Sequence, residues 1–427
     1  MNKTLINGDM LVELDKLEEN SIDCIITDPP YELGFMGKNW DSAGISFQKL
    51  TWEKCFRVLK PGGYLLAFGG SRTYHRIACA IEDAGFEIRD TIMWIYGSGF
   101  PKSMNIGLAI DKCFGYTGNR SIGFSFAGDD GRKAPLNRNR NLRADYGGKY
   151  DVISDLAKKW EGFGTALKPA FEPIIMARKP VEHTVVENLL KYGVGGINID
   201  ECRVETDEEI TTHSKSAESS ISKGIYGDYG SVKTHQTKGQ KLGRFPANLI
   251  LTYDDSDYDE VCGGFPKTND ESACRYFYCA KTTKRDRDEG LNNFETRQST
   301  GGGGGIGDYL NDVNSASGKF GSEKAPHKNH HPTVKPTALM QYLVRLVAPK
   351  GSVILDPFMG SGSTGKAIAY ENNDRGAGYS FIGIEMQEDY FEIAKARISF
   401  AETDNTQPEQ IIAKDHESVD DSEDTLF

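Results

Sequence analysis

Four consecutive residues, Asp28-Pro29-Pro30-Tyr31, combine an acceptor, two rigid residues and a flat ring. An ionised carboxylate only accepts hydrogen bonds. Pro30 has no N–H, and it holds Pro29 extended with its carbonyl free to accept. Tyr31 offers a flat apolar face. Two acceptors and a stacking surface suit a planar group that carries an NH2. The preceding run, Ile22-Asp23-Cys24-Ile25-Ile26-Thr27, reads as a buried strand stopped by the prolines. The tetrapeptide therefore stands at a strand tip. An ordinary strand-ending turn needs none of this combination.

A second constellation lies far along the chain. Ser352–Leu355 reads as a strand, and Asp356-Pro357-Phe358-Met359-Gly360-Ser361-Gly362-Ser363-Thr364-Gly365 as a Gly-rich loop opening a helix. Phe381–Ile384 is the next strand, with Glu385 at its tip, 23 residues past Gly362. Strand, Gly-rich turn, helix, strand and terminal acid together make a nucleoside-binding unit. Gly360 and Gly362 are the close-approach positions, and the acid takes two ribose hydroxyls. Gly360-x4-Gly365-Lys366 also nearly spells a phosphate-binding loop, but Ala367 stands where a Ser or Thr must hold magnesium.

The elements that must position these residues alternate. A strand at Thr4–Ile6, a helix over about 10–18 and the Ile22–Thr27 strand come first. Trp52, Cys55, Phe56 and Leu59 share one helical face, which Lys60-Pro61-Gly62-Gly63 ends. Tyr64–Phe68 is a strand, Tyr74, Ile77, Ala78 and Ile81 mark a helix, and Phe86–Ile95 is a strand. Ile174–Ala177 is a further strand and 181–192 a helix. Met340, Leu343, Val344 and Val347 mark a helix, and a last helix runs to about Phe400. This βαβα pattern predicts an α/β fold with a mostly parallel sheet and helices on both sides.

Between these stretches the periodicity fails. Residues 131–149 hold Arg132, Lys133, Arg138, Arg140, Arg143 and Lys149 against one Asp. A phosphate-contacting loop is as good an account of that run as a solvated one. Arg275-Tyr276-Phe277-Tyr278, followed by Lys281, Lys284, Arg285 and Arg287, fits nucleic-acid contact, or equally a core strand followed by a charged loop. We expect core segments at 1–115, 160–205 and 326–401. Between them fall a basic loop at 116–159 and an inserted, partly disordered region at 206–325. An acidic, disordered tail follows at 402–427.

Composition narrows the class. The formal charge is −12, but residues 402–427 carry nine acids and one lysine, so the body is only mildly acidic and nucleic acid is not excluded. Eight cysteines without a C-x-x-C pair, and no apolar leader, read as a reduced chain of the cytoplasm. No run reaches the length of a membrane span. The Cys and His spacings fit no common metal site, so no metal is expected. No cysteine follows a proline.

Taken together, the two motifs resemble the S-adenosylmethionine-dependent DNA amino-methyltransferases. Their order, Asp-Pro-Pro-Tyr first and Asp-Pro-Phe-x-Gly-x-Gly last, is similar to the beta class of that family. His331-Pro332-Thr333-Val334-Lys335-Pro336, Asn7-Gly8-Asp9 and Leu59-Lys60-Pro61-Gly62-Gly63 also match family motifs. The long Gly-rich middle is similar to phage and prophage members.

The resemblance implies a Rossmann-like methyltransferase fold with a circularly rearranged motif order and an inserted variable region. Strands 22–27 and 352–355 should then lie close together despite some 330 intervening residues. It implies S-adenosylmethionine as cofactor, held by Asp9, Thr333, Lys335, Asp356, Phe358, Gly360, Gly362 and Glu385. Asp28, Pro29, Pro30 and Tyr31 are the implied catalytic group, acting on a base flipped out of double-stranded DNA. An Asp at the first motif position leans toward adenine N6 and leaves cytosine N4, and an RNA amine, as alternatives. Carbon methylation, which in this family's relatives uses a cysteine after a proline, is excluded. Arg138, Arg140, Arg143, Lys284 and Arg285 are the candidate DNA contacts. A homodimer and a restriction endonuclease are expected partners, in the cytoplasm of a bacterium or a phage-infected host.

Overall fold

Strand β2, Ile22–Thr27, is buried at every residue, so the sheet is covered on both faces there. The computed structural model describes residues 1–33, 43–96, 103–115, 152–206, 212–213, 234–235, 238–252, 277–279, 281–296 and 327–403. The other strands are β1 (Asn2–Asn7), β3 (Leu59–Phe68), β4 (Glu87–Tyr96), β5 (Phe171–Arg178), β6 (Thr212–His213), β7 (Thr234–His235), β8 (Leu249–Thr252), β9 (Phe277–Tyr278), β10 (Val353–Asp356) and β11 (Ser380–Glu385). Nine of them form one sheet in the order β1-β11-β10-β2-β3-β5-β4-β8-β9, while β6 and β7 pair separately.

The two C-terminal strands thus sit between β1 and β2, which follow each other in sequence. The expected juxtaposition is present: β10 runs parallel to β2, with Ile354 opposite Cys24 and Leu355 opposite Ile25. Asp23, buried in β2, helps fix this register. One of its oxygens accepts the Val353 N–H at 2.6 Å and the other takes the Lys60 ammonium at 2.6 Å. Strands β1, β11, β10, β2 and β3 are mutually parallel, whereas β5 runs antiparallel to β3.

The pleat sorts the strand residues by face. Ile25, Leu65, Ala67, Ile175, Ala177, Leu355 and Ile384 pack with Trp52, Cys55, Val58, Ile77 and Ile81 of the helices Lys49–Val58 and Tyr74–Asp83. Their alternates, Ile26, Leu66, Phe68, Ile174 and Ile354, are equally buried. The helices Thr337–Val347, Ser363–Arg375 and Glu388–Thr403 pack on one another as a second group.

Several expectations shift. The first helix is short, Met10–Glu13, and continues as a 3-10 turn over Leu14–Lys16. Lys60–Gly63 does not end a helix before a separate strand. It bulges inside β3, where pairing jumps from Ile22–Leu59 to Cys24–Tyr64. The helix sought at 181–192 begins at Val185, where Thr184 and Glu187 form a capping box. Phe277 and Tyr278 form the edge strand β9, and the Phe277 ring stacks on Tyr342 at 3.9 Å.

The chain divides into two compact units, and the described residues of the smaller one are Tyr96, 103–115 and 152–171. In that smaller unit, Asp111 of the helix Ile106–Cys113 accepts the Ile153 and Ser154 N–H groups at 2.6 and 3.1 Å, which ties it to the helix Asp155–Lys158. Among the described residues, no helix is long and apolar enough to cross a membrane.

Candidate active site

Asp28-Pro29-Pro30-Tyr31 follows β2 at the same edge where β10 and β11 end. The loop is fastened by its later carbonyls. Ser46 Oγ donates to Pro30 O at 2.7 Å and Thr73 Oγ1 to Tyr31 O at 2.8 Å. Glu32, at φ +55°, then accepts Gly44 N at 2.7 Å. That strained conformation costs on the order of 1 kcal/mol and persists because both ends are held.

The earlier acceptors are not engaged in the same way. Lys335 Nζ donates to Asp28 Oδ2 at 2.6 Å, but the buried Asp28 Oδ1 has no hydrogen-bond partner among the described residues. No described residue donates to Pro29 O. Burial pushes the Asp28 carboxyl above its ordinary value, Lys335 pulls it down, and Glu172 pushes it up again. Burial opposes the Lys335 ammonium, yet Asp28 and Glu172 outweigh it and hold the lysine above its ordinary pKa. Lys335 is only 6% exposed and lies 5.4 Å from the Tyr31 ring centroid and 4.9 Å from that of Phe68.

The Gly-rich loop stands beside it, after β10. Asp356 accepts Thr27 Oγ1 at 2.7 Å and Phe358 N at 3.2 Å on one oxygen, and Thr364 Oγ1 at 2.6 Å on the other. Its carboxylate thus shapes the loop from within. Phe358 packs on the core, half-buried. Gly360 and Gly362 adopt φ of +55° and +77°. What comes close to them is protein. A Cβ at Gly360 would meet His331 Nε2 at 2.9 Å, and one at Gly362 would meet the Ala394 Cα at 2.9 Å. Burial, with Lys335 adding to it, drops His331 to about 3, so its imidazole faces the loop neutral.

Glu385 closes the loop by accepting Gly360 N at 2.9 Å on one oxygen and Gln387 N at 2.7 Å on the other. Burial raises it to about 7. Each oxygen keeps a second lone pair for a further donor. Asp9 caps the first helix through Leu11 N at 2.9 Å and is exposed. Pairing of Asn7 with Glu385 brings that segment to the β11 tip. A half-buried carboxylate beside a left-handed Gly turn, with acceptors of β2 close by, fits an adenosyl ligand carrying a reactive group. Thr333 is exposed next to His331, its N–H 3.4 Å from Nδ1.

Lys366, the lysine of the phosphate-loop pattern, is fully buried on Asp286 Oδ1 at 2.7 Å and Glu289 Oε2 at 2.8 Å. Arg397, also fully buried, donates to Ser361 O at 2.6 Å and Asp286 O at 3.0 Å. Burial works against the Asp286 carboxylate, but Lys366 and Arg397 prevail and lower its pKa. The helix Lys284–Asp288 is thereby fixed against the Gly-rich loop, with Lys284 and Arg285 exposed. Arg285 Nε lies 3.3 Å from Glu289 Oε1. Arg138, Arg140 and Arg143 lie outside the described residues.

Glu172, which the sequence did not single out, joins the site. Tyr31 Oη donates to its Oε2 at 2.7 Å, and Lys335 Nζ lies 3.4 Å from the same oxygen. The available signal was an acid heading an apolar strand, the mirror of Asp28 at a strand's end.

A family model described as a DNA methylase of the N6/N4 type matches residues 22–396. The type II methyltransferase M.HpaI of Haemophilus parainfluenzae is 39% identical over 110 residues, 24% of this chain and 35% of that one, so the match spans about a third of that relative. M.HindIII of Haemophilus influenzae is 25% identical over 291 residues, 58% of this chain and 77% of its own. Among solved structures, PvuII DNA methyltransferase (cytosine-N4-specific) is 13% identical with a TM-score of 0.41, covering 93% of this chain and 86% of that one. The family match takes in the tetrapeptide, the Gly-rich loop and Glu385, and the protein belongs to the N6/N4 DNA methylase family, whose methyl donor is S-adenosylmethionine.

Proposed function

We propose that the protein is a site-specific DNA methyltransferase that methylates the exocyclic N6 amine of an adenine flipped out of double-stranded DNA. One observation carries this reading. Of the acceptors in Asp28-Pro29-Pro30-Tyr31, Pro30 O and Tyr31 O are engaged, while Asp28 Oδ1 and Pro29 O have no donor among the described residues. These are the two acceptors that an NH2 group requires.

The amine lone pair is delocalised into the base, so the nitrogen is a poor nucleophile. Asp28 Oδ1 and Pro29 O each take one N–H, draw the nitrogen toward tetrahedral geometry and leave its lone pair free. Positive charge develops on that nitrogen, so both acceptors favour the transition state over the ground state. Lys335 holds Asp28 through Oδ2 and leaves the other oxygen for substrate. Tyr31 covers the base face. Bound S-adenosylmethionine supplies an electrophilic methyl on a sulfonium. Glu385 takes its ribose hydroxyls, and the backbone around Gly360 and Gly362, with His331, lines it. The exposed Lys284 and Arg285 contact DNA phosphates. The Asp that opens the tetrapeptide favours adenine. The type II relatives support pairing with a restriction endonuclease of the same specificity.

Expression in methylation-deficient cells, followed by sequencing of modified bases, tests this. N6-methyladenine at one recurrent sequence is expected. N4-methylcytosine would move the assignment to the other base, and unmodified DNA would overturn it in favour of an RNA amine.

A further inference from the structure

Strand β5 is antiparallel to its neighbour, with Ile174 opposite Phe68. Its first residues therefore arrive at the edge where β2 and β3 end. Glu172 stands there with one oxygen, Oε2, touching two members of the site. It accepts the Tyr31 phenol at 2.7 Å and lies 3.4 Å from Lys335 Nζ, which itself donates to Asp28 Oδ2 at 2.6 Å. The phenol is the only polar handle on the Tyr31 ring, so its acceptor decides how the ring face is presented. The Lys335 ammonium is thus shared between two carboxylates, Asp28 and Glu172.

We propose that Glu172 is a positioning residue for methyl transfer. It fixes the tilt of the Tyr31 ring against the flipped base, and it anchors Lys335 so that Asp28 presents Oδ1 to the amine. This rests on the roles proposed for Asp28 and Tyr31. A carboxylate that merely balances the Lys335 charge would have no need of the phenol.

The test measures methyl transfer from radiolabelled S-adenosylmethionine to unmethylated genomic DNA. It compares Glu172→Ala, Glu172→Gln, Tyr31→Phe, the double variant Glu172→Ala/Tyr31→Phe, and Asp28→Ala. Glu172→Ala and Tyr31→Phe should each lower the rate at saturating substrates about tenfold, with cofactor affinity unchanged. The double variant should fall no further than Glu172→Ala alone, because both substitutions break one contact. Glu172→Gln, whose amide oxygen still accepts the phenol, should recover most of the rate. Full activity in Glu172→Ala, or losses that multiply in the double variant, would overturn the proposal. If Glu172→Ala does not fold, Tyr31→Phe, which removes the phenol contact from the other side, must still lose about tenfold for the proposal to stand. An active Asp28→Ala would sink the reading of the site itself. An inactive Asp28→Ala beside a fully active Glu172→Ala would sink this inference alone.

Discussion

Two Asp-Pro dipeptides end two adjacent parallel strands, Asp28-Pro29 after β2 and Asp356-Pro357 at β10. Their carboxylates are surrounded differently. Asp356 accepts two threonine hydroxyls and a backbone N–H, and both its oxygens are engaged inside the protein. Asp28 has a lysine on one oxygen and, among the described residues, no hydrogen-bond donor within bonding distance on the other. One donor to Asp356 is Thr27, the residue before Asp28. Successive strand residues point to opposite faces, so Thr27 ties the two strand tips together while Asp28 faces the site. Burial raises both carboxyls, Asp356 to about 6. The same dipeptide thus shapes a loop in one strand and leaves a buried acceptor in the next, and the partners decide which.

Removing each carboxylate should separate the two roles. Asp28→Ala is expected to lower methyl transfer by about a thousandfold or more, since an acceptor aimed at developing charge is lost from a buried site. Cofactor binding by calorimetry and the melting temperature should change little. Transfer within tenfold of wild type would remove Asp28 from the chemistry. Asp356→Ala should do the reverse in kind. It strands the hydroxyls of Thr27 and Thr364 and the Phe358 N–H, and should cost about 2–3 kcal/mol of stability by urea titration. Asp356→Asn should cost less and also expose a proton linkage. The folded carboxyl titrates near 6 and an unfolded one near 4. Folding therefore favours the protonated form, and stability falls as pH rises between those values. That slope should be present in wild type and absent in Asp356→Asn. An identical slope in both would place the linkage elsewhere.

What could be read in advance follows from how local each signal is. The strand before Asp28, the Gly-rich loop and the tip acid Glu385 are contiguous patterns, and β2, β10 and β11 appear where those patterns lie. The adjacency of β2 and β10 follows from the family's motif order, since no local pattern links residues 330 apart. Lys335 was expected among the cofactor groups from its motif, yet its ammonium lies on Asp28. Glu172 escaped notice because strand direction is not written in a strand's own residues, and only an antiparallel β5 brings its first turn to the site. The close approach at Gly362 was expected toward a ligand. The structure puts Ala394 of the last helix there, a contact between segments that sequence spacing does not reveal. Likewise, nothing near Lys366 foretold that Asp286 and Glu289 fold back onto it.

Glu385, at the tip of the third strand in the row, stands between the two aspartates in character. Each of its oxygens accepts one backbone N–H and keeps room for another donor. Burial raises its pKa to about 7. If its role is to accept ribose hydroxyls, only the ionised form serves, because a protonated carboxyl presents a donor where the ligand also presents one. Cofactor affinity should then strengthen as pH rises through 7 and level off above 8. With one controlling proton, the dissociation constant at pH 6 should be about tenfold weaker than on that plateau. Glu385→Gln, which cannot ionise, should bind weakly at every pH and show no such rise. Calorimetric titration of the apoprotein with S-adenosylhomocysteine between pH 6 and 8.5 measures this without turnover. A flat profile in wild type would mean that Glu385 serves as Asp356 does, shaping the loop through Gly360 rather than holding the ligand.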